Sequence, residues 1–321
     1  MHDPLKMVVI GQLTLDDVVL FDQAALLDSP GGAGLYALAG TYLWDTAPVG
    51  FVTRMGDDYD LTDLIDKTKN SIDYAGINKV DAPSIHIWNM FDRKGHRYFI
   101  KQRWGSDDDL MGILPEYIPE RFWDCQNFLV AAFPLDWQAK VIKAMPVEKM
   151  VLVDPHFQGI FPKYHELWDD LFPHIDVFLP SEEELLRYFT IEALSDVRGY
   201  VPYLKRLTEK GPSVVGVKVG SQGCVVVDRD KKAAFHIPAY LKDNVVDVTG
   251  CGDVFCGGFF SSYVDDGDIY EAGLHGVVGA SFNLEDYGVL HNFSIDRGRV
   301  QQRLEQFRNS LDREKQRVQY E

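Results

Sequence analysis

The sequence predicts a doubly wound α/β fold, in which a mainly parallel sheet carries helices on both faces and a small β lid lies beside it. Three observations favour this fold. Short apolar runs alternate with helical stretches along most of the 321 residues. One hairpin-like segment falls outside that alternation, and glycine-rich segments follow several of the apolar runs. No linker or internal repeat interrupts the pattern, so we expect one domain over residues 1–321.

The predicted strands are short apolar runs without strict alternation, which is typical of parallel strands buried on both faces. They are Met7–Gly11, Val49–Thr53, Phe128–Ala132, Met150–Val153, Val177–Leu179 and Val214–Val217. Cys224–Asp228 and Ala234–Ile237 predict a further strand pair around the charged turn at 229–232.

The predicted helices fall between these strands and in the last quarter of the chain. They are Gly31–Leu43 (a Gly-Gly loop that opens a helix), Leu61–Asn70, Trp137–Ala144, Glu182–Phe189, Tyr200–Thr208, Val254–Tyr263, Ile269–Phe282 and a charged terminal helix near Arg297–Arg317.

The segment Ser84–Lys101 behaves differently, because apolar residues alternate on either side of a charged stretch that contains Gly95. This pattern predicts a β-hairpin with Gly95 in its turn. Together with Leu13–Ser29, it predicts a small lid from about 13–29 and 84–104.

Composition excludes several classes of function. A formal net charge of −17 and a pI near 4.9 argue against a nucleic-acid partner, which needs a basic face. The four cysteines have neither disulfide-framework nor zinc-site spacing, and no window is long and apolar enough for a membrane span. With no apolar signal segment at the N-terminus, we expect a cytoplasmic protein that acts on a small molecule.

The most informative segment is Val245–Gly258, which reads VVDVTGCGDVFCGG. Its glycines allow a turn that brings backbone N–H groups to one point, and the helix predicted after them adds its own N–H groups and positive dipole end. We therefore predict that Gly250, Cys251 and Gly252 build an anion hole for a phosphate in transfer. Asp253 lies at its mouth, where a carboxylate can accept the proton of an attacking hydroxyl. The alternative is a glycine-rich helix start that Asp253 caps.

Asp247–Asp253, with the sequence DVTGCGD, resembles the D-x-T-G-A-G-D signature of the ribokinase (PfkB) family of carbohydrate and nucleoside kinases. The resemblance implies a ribokinase-like fold and transfer of phosphate from ATP, with Mg²⁺, to a hydroxyl of a sugar-like molecule. It implies that Asp253 is the general base and that Asp247 lies by a monovalent-cation loop, which adds K⁺ as a candidate cofactor. Cys251 takes the usual small-residue place, where the backbone does the binding.

The second segment, Gly31–Ala37, resembles the family's substrate-contacting G-G-x-x-x-N segment, with Tyr36 at the place of the Asn. Gly31 and Gly32 permit close backbone approach to a ligand at a helix start, although a tight helix–helix crossing is the alternative explanation. Tyr36 can hydrogen-bond or stack on a base but fills space, which weighs against ribose or fructose as the substrate.

Two acidic residues follow the first strand, and spacing from Gly11 favours Asp16 over Asp17 as the one that faces a ligand. The family places a substrate-binding Asp at the position of Asp16, where a carboxylate can accept two sugar hydroxyls. The alternative is a solvated loop acid, the commoner fate of a single Asp.

Nucleotide and metal candidates follow later strands. Glu184 resembles the Glu of the family's N-x-x-E motif, which holds the water shell of Mg²⁺, and Ser181 replaces the Asn. The alternative is that Ser181 caps a helix whose first turn is acidic.

The segment Lys218–Gly223 resembles the family's nucleotide loop of the T-L-G-x-x-G kind, with Lys218 at the Thr place and Gly220 and Gly223 at the glycines. The alternative, a hairpin turn into the next strand, is compatible with that role. More loosely, Val277 falls where the family's adenine-side helix lies.

Three rivals to a sugar kinase stay open. One is a nucleoside kinase of the same family, favoured by the short lid segment and by Tyr36. A second is a non-catalytic sugar or nucleotide sensor, favoured by the loss of Asn at Tyr36 and Ser181. The third is a dinucleotide-binding dehydrogenase resting on Gly32-x-Gly34, although that match does not directly follow the first strand. The resemblance also implies a homodimer through the lid strands.

Overall fold

A computed structural model describes residues 4–22, 24–44, 47–93, 97–101, 111–241 and 244–320. Short extended segments recur along the described chain. The strands are β1 Met7–Ile10, β2 Thr14–Val19, β3 Leu26–Gly31, β4 Val49–Met55, β5 Ile72–Lys79, β6 His86–Phe91, β7 Arg97–Lys101, β8 Asn127–Val130, β9 Met150–Val153, β10 Val177–Phe178, β11 Val214–Lys218, β12 Cys224–Asp228 and β13 Ala233–Ile237.

Nine of these strands form one large sheet, in the order β13-β12-β11-β10-β9-β8-β1-β4-β5. β12 runs antiparallel to both of its neighbours, and the other neighbouring pairs are parallel. The chain builds outward from β1 to β4 and β5, then returns to the other side of β1 for β8. Ligands bind at such reversals, outside the carboxyl ends of the strands.

Helices cover both faces of this sheet. They are α1 Ala33–Tyr42, α2 Thr62–Thr68, α3 Leu135–Ala144, α4 His165–Leu171, α5 Glu182–Phe189, α6 Val201–Thr208, α7 Cys251–Asp266, α8 Ile269–Asn283, α9 Arg297–Ser310 and α10 Arg313–Gln316.

The core is divided by the sheet into two apolar layers. α1, α7, α8 and α9 pack on one face, and α3 to α6 pack on the other. Strand β1 supplies both layers, because Met7 and Val9 face one and Val8 and Ile10 face the other, as the two-residue period of a strand requires. Burial on both faces is the reason that the sequence shows continuous apolar runs here.

The lid is a separate four-stranded sheet in the order β3-β2-β6-β7. β2 and β6 are parallel, and the two outer pairs are antiparallel. The predicted hairpin is confirmed as the β6–β7 pair; Gly95 and residues 102–104 of the predicted lid lie outside the described residues.

Most predicted elements are confirmed, and helix α4 is an addition that the sequence pattern did not predict. Strand β5, at the edge of the large sheet, was not predicted, because its sequence IDYAGINK mixes polar and small residues as an edge strand allows. The predicted terminal helix is two helices, since Leu311 leaves α9 in an extended conformation and Asp312 caps α10. No helix among the described residues is long and apolar enough to cross a membrane.

Candidate active site

The loop before α7 has a left-handed turn that only glycine accepts readily. Gly250, at the N-cap of α7, has φ of 72°, and a Cβ on it would lie 2.1 Å from the ring of Tyr36. The helix itself supplies no acceptor for the first N–H groups of α7, and the N–H of Cys251 donates instead to the carbonyl of Val248 at 3.3 Å. Of the predicted anion hole at Gly250, Cys251 and Gly252, the N–H of Cys251 is thus engaged within the loop, and Asp253 lies in the first turn of α7.

Two buried side chains hold this loop in place. Asp247 accepts hydrogen bonds from the backbone N–H of Thr249 at 2.8 Å and from that of Gly288 at 3.2 Å. Asn283, near the end of α8, donates to the carbonyl of Thr249 at 2.7 Å. Because each oxygen of Asp247 receives a backbone N–H, the geometry gives this carboxylate a positioning role in the loop.

The acceptor side of the site lies where β2 meets the Gly31-Gly32 turn. Asp16 is 4% exposed, and one of its oxygens accepts from the Thr14 hydroxyl at 2.7 Å. A Cβ on Gly31 would lie 2.2 Å from the other oxygen of Asp16, so the glycine is required by this close approach. Tyr59 donates to the carbonyl of Gly31 at 3.0 Å, which fixes the turn from the opposite side.

Gly32 forms the N-cap of α1, with φ of 99°. The helix–helix crossing considered as an alternative for the Gly31-Gly32 pair occurs further along α1, where Gly40 packs on Val254 of α7. The two glycines therefore lie in the turn before α1 rather than at the helix crossing, and their role toward a substrate stays a prediction.

Tyr36 lies between the acceptor side and the loop before α7. Burial raises the pKa of its phenol well above the ordinary value, and the negative charges of Asp16, Asp247 and Asp253 raise it further. Tyr36 therefore stays a neutral hydroxyl. Its ring is 2% exposed and packs on Gly250, so it offers no face on which a base could stack.

The predicted nucleotide side lies at the ends of β9, β10 and β11, which are neighbours in the sheet. The Lys218 ammonium donates to Asp154 at 2.7 Å and to the Cys256 sulfur at 3.4 Å, and the Cys256 thiol donates to Asp154 at 3.3 Å. A Cβ on Gly252 would lie 3.6 Å from Nζ of Lys218, so the ammonium lies directly beneath the predicted anion hole.

Lys218 remains charged in this buried place. Burial lowers the pKa of the ammonium, but Asp154, Cys256, Glu184 and Asp253 more than offset that effect and raise the pKa above the ordinary lysine value. Asp253 therefore acts electrostatically on both sides of the site, since its charge also reaches Tyr36.

Glu184 has two roles in its surroundings. Its carboxylate accepts from the backbone N–H of Ser181 at 2.6 Å, and the Ser181 hydroxyl accepts from the backbone N–H of Glu184 at 3.3 Å. This reciprocal pair is a capping box, so the helix-cap interpretation of Ser181 is confirmed. Burial and the charge of Asp154 also raise the pKa of Glu184 to about 7.

The charges on this side fit a divalent cation. Asp154 and Glu184 are two buried carboxylates beside the single ammonium of Lys218, which leaves an uncompensated negative charge when both are ionised. A magnesium ion supplies the missing charge, and one carboxylate is enough to hold its water shell.

The remaining predicted nucleotide residues lie on two elements. The turn Gly220–Gln222 and Gly223 connect the antiparallel strands β11 and β12, so the hairpin interpretation is confirmed. A Cβ on Gly220 would meet open space, which leaves room for a ligand to approach. Val277 lies on α8 and is 6% exposed, which makes it chiefly a packing residue.

Sequence reasoning missed three contributors: the ion pair of Asp154 with Lys218, the loop support by Asn283, and the hydroxyl of Tyr59. The first had a detectable signal, because a lysine that ends an otherwise apolar strand needs a buried partner. The other two join segments distant in the chain, and no local pattern marks them.

Comparison with known proteins places these features in a context. A family model described as "pfkB family carbohydrate kinase" matches residues 7–295. The chain is 27% identical over 271 residues to a cytidine kinase of Thermococcus kodakarensis, which covers 81% of this chain and 88% of that protein. It is 26% identical over 314 residues to a deoxyribokinase of Salmonella typhi, which covers 90% of this chain and 95% of that protein.

A solved structure is similar over nearly the whole length. It is a putative ribokinase II from Escherichia coli in complex with ATP and Mg²⁺, with a TM-score of 0.72, 19% identity, and coverage of 96% of this chain and 100% of that one. At 19% identity this similarity establishes the fold alone, and membership of the family rests on the match to the family model.

Proposed function

This chain belongs to the pfkB family of carbohydrate kinases, and we propose that Asp253, the anion hole and Lys218 together perform its phosphoryl transfer. The enzyme is an ATP-dependent phosphotransferase whose acceptor is a hydroxyl of a sugar-like molecule. The observation that carries the assignment is the start of α7, where Asp253 lies in the first turn and a Cβ on Gly252 would lie 3.6 Å from Nζ of the buried Lys218.

Asp253 accepts the proton of the acceptor hydroxyl as its oxygen attacks the γ-phosphorus of ATP. The new O–P bond forms while the bond from phosphorus to the β–γ bridging oxygen breaks, and ADP leaves with that oxygen. A positioned carboxylate in this role contributes about 10²–10⁴-fold to the rate. The Asp16 carboxylate orients the acceptor by accepting hydrogen bonds from the acceptor's hydroxyl groups. Gly31 and Gly32 have no side chain and so allow the acceptor to approach the backbone closely.

Charge on the moving phosphoryl group is neutralised from two directions. The proposed anion hole at Gly250, Cys251 and Gly252 contributes backbone N–H groups at the start of α7, of which that of Cys251 would have to leave the carbonyl of Val248, and the Lys218 ammonium lies beneath Gly252. Asp154 holds that ammonium in place. Because this ammonium is fixed before the reaction begins, it needs little reorganisation during the transfer.

Mg²⁺, when bound, neutralises charge on the ATP phosphates. Glu184, beside Asp154, would hold it through the water shell. The capping box fixes the position of the Glu184 side chain. Because its pKa is raised to about 7, a bound cation would favour the ionised carboxylate. Ser181, Gly220, Gly223 and Val277 are assigned to the nucleotide side on their positions alone.

A nucleoside acceptor is the second candidate. It is favoured by the relative named cytidine kinase, whereas the relative named deoxyribokinase favours a free sugar. The buried ring of Tyr36 gives no support to base stacking. Tyr36 instead limits the space beside Asp16, which favours an acceptor smaller or differently shaped at that point than ribose or fructose.

Further properties belong to the same proposal. The lid closes over the acceptor and excludes water, which otherwise competes for the phosphoryl group.

Four of the exposed large apolar side chains lie in the lid, at Phe21, Leu27, Tyr98 and Ile100, which supports a homodimer through this sheet. The proposal also includes K⁺ binding at the loop of Asp247. It includes a cytoplasmic location, because four unpaired cysteines fit a reducing compartment.

The test is turnover of ATP to ADP with Mg²⁺ and K⁺, across a panel of sugars, sugar phosphates and nucleosides. We expect acceptor-dependent turnover with one class, and Asp253→Asn should lower kcat about 10²–10⁴-fold with little change in the KM for ATP. Asp265→Asn, an exposed residue on the same helix, is the matched control.

Two outcomes would contradict the proposal. Equal loss of kcat and of ATP binding in Asp253→Asn would remove the base role. No turnover with any acceptor, while ATP or a sugar still raises the melting temperature, would favour a non-catalytic sensor.

A further inference from the structure

A second cluster of ionisable side chains lies in the lid, away from the site described above. It consists of Asp17 on β2, Asp28 on β3 and His86 on β6. Each residue offers one ligand atom, and these atoms lie within 4.8 Å of one another. The cluster therefore joins three of the four lid strands.

This cluster faces away from the acceptor. Successive side chains of a strand point to opposite faces, so Asp16 and Asp17 cannot share a face of β2. His86 pairs in register with Leu15, which lies on the same face as Asp17. Asp16 faces Gly31 and the active site, and Asp17 faces His86.

The histidine is the unusual member. Its side chain is 5% exposed, and Nε2 lies 3.1 Å from an oxygen of Asp17 and 3.6 Å from an oxygen of Asp28. Neither ring nitrogen has a partner at hydrogen-bond geometry among the described residues. A buried imidazole aimed at two carboxylate oxygens without hydrogen-bonding to them leaves space between the three groups for a further atom.

Two of the three separations between the ligand atoms are close to those around a tetrahedral metal ion, and the two carboxylate oxygens lie within 4.8 Å of each other. Bonds of 2.0–2.1 Å from a central zinc separate neighbouring ligand atoms by about 3.3–3.4 Å. The distances of 3.1 and 3.6 Å lie on either side of that value. The backbone N–H of Asp28 donates to the other oxygen of Asp17 at 2.8 Å, which fixes that carboxylate in the way that outer hydrogen bonds fix metal ligands.

We propose that Asp17, Asp28 and His86 bind one divalent transition-metal ion of the zinc class, which ties β3 and β6 together across β2. One imidazole and two carboxylates suit zinc and its first-row neighbours rather than magnesium or calcium. The Asp28 side chain is 71% exposed, so a water can complete the coordination.

A structural metal would stabilise this lid, whose own apolar core is small. The buried apolar cluster beneath it contains three residues in the described chain, Ile85, Ile87 and Met111. Sheets with so little buried area are commonly stabilised by another element, a disulfide or a metal. The ion would hold the strand that carries Asp16 in register with its neighbours.

The test is zinc binding by calorimetry on the full-length protein, stripped with a chelator and free of nucleotide. Asp28→Asn removes one ligand charge and keeps a residue that tolerates the left-handed backbone, where φ is 52°. Asp22→Asn is the matched control, because Asp22 is an exposed residue with φ of 58° between the same two strands and lies outside the cluster.

We expect one Zn²⁺ per chain for the natural sequence and for Asp22→Asn, and at least about 10-fold weaker binding for Asp28→Asn, since even lost outer-shell contacts weaken metal sites by that much. Zn²⁺ should raise the melting temperature of the first two proteins only. Co²⁺ should give visible absorption bands that Asp28→Asn lacks.

The proposal is overturned if the natural sequence takes up no stoichiometric Zn²⁺, or if Asp28→Asn binds it equally well. The same holds if Asp28→Asn lowers the melting temperature equally in chelator and in zinc. That pattern would mean that Asp28 stabilises the lid without a bound metal.

Discussion

At the scale of single residues, the site holds one buried ammonium among four buried carboxylates and the half-buried Asp253. Asp154, Glu184 and Asp253 all act on the one ammonium of Lys218, and Asp16 and Asp247 lie beyond it around Tyr36. Such a set of carboxylates is unfavourable in the empty site, because buried charge is costly unless paired. Binding of a divalent cation relieves it, so affinity for the metal and the acidity of these groups are coupled.

Lys218→Met should lower kcat about 10²-fold or more, because it removes a fixed positive charge from beneath the anion hole. The single variant also leaves Asp154 buried without its ion-pair partner, and breaking a buried pair costs about 3–5 kcal/mol of folding stability. The double variant Lys218→Met with Asp154→Asn removes that unpaired buried charge. Steady-state kinetics and thermal melting should show a stable but slow enzyme; recovery of activity in the double variant would limit Lys218 to a structural role.

The pKa of Glu184 predicts how the magnesium requirement depends on pH. With a pKa of about 7, Glu184 is protonated in the metal-free protein at pH 6 and ionised at pH 8. The Mg²⁺ concentration for half-maximal rate should therefore rise as the pH falls from 8 to 6. Glu184→Gln, which preserves the capping box, should raise that concentration and remove its pH dependence.

The same group has a calculable effect on stability. Its folded pKa lies above the unfolded value, so its contribution is present below about pH 4.3 and is lost as the pH rises through about 7. Without metal, the natural sequence should therefore lose stability relative to Glu184→Gln as the pH rises across that window. Denaturant unfolding at pH 5 and 8 measures this, and parallel pH profiles for the two proteins would exclude the raised pKa.

At the scale of elements, the start of α7 combines two different uses of glycine. Gly250 is needed for its own conformation, since its φ is 72° and its neighbour is the Tyr36 ring. Gly252 has ordinary helical geometry, and a Cβ there would make only van der Waals contacts of 3.6–3.8 Å with Lys218. Its value lies in leaving backbone N–H groups open to a phosphate.

Alanine at these two positions should therefore separate folding from catalysis. Gly250→Ala should lower stability by about 1–3 kcal/mol, because it combines a strained backbone with a steric clash. Gly252→Ala should melt close to the natural sequence and yet lose activity. Thermal unfolding and kcat measured on both proteins test this, and a fully active Gly252→Ala would argue against phosphate approach at that N–H.

At the scale of the whole molecule, the large sheet gathers distant segments at one edge. Asp154, Ser181 and Lys218 follow or end adjacent strands, and their carboxyl ends meet by the parallel arrangement. The lid brings Asp16 over the same edge from a second sheet. Catalysis thus depends on the placement of the lid, whose outer face carries exposed apolar side chains.

A dimer through that face should be visible in solution. Light scattering after size-exclusion chromatography should give twice the chain mass of 36.4 kDa for the natural sequence. Leu27→Lys, on β3, should give the monomer, because it places a charge in the contact. Val147→Lys is the control, since Val147 is an apolar residue 95% exposed outside the lid. A natural sequence that elutes as a monomer would refute the dimer.

The sequence by itself determined the fold class, the family resemblance and the position of the glycine-rich turn before α7. These follow from local signals: apolar runs of the length of buried strands, and glycines beside Asp253 at a helix start. The turn at Gly250 and the capping box of Ser181 and Glu184 involve residues close in the chain, so pattern reasoning reaches them.

Only the tertiary structure decided which charges meet. Asp154 and Lys218 are 64 residues apart, and their 2.7 Å contact exists because β9 and β11 both neighbour the short strand β10. Asp16 and Asp17 are adjacent in sequence and both buried, yet one faces Gly31 and the other faces His86. Which face a side chain takes is set by strand pairing, and pairing joins segments that no local pattern connects.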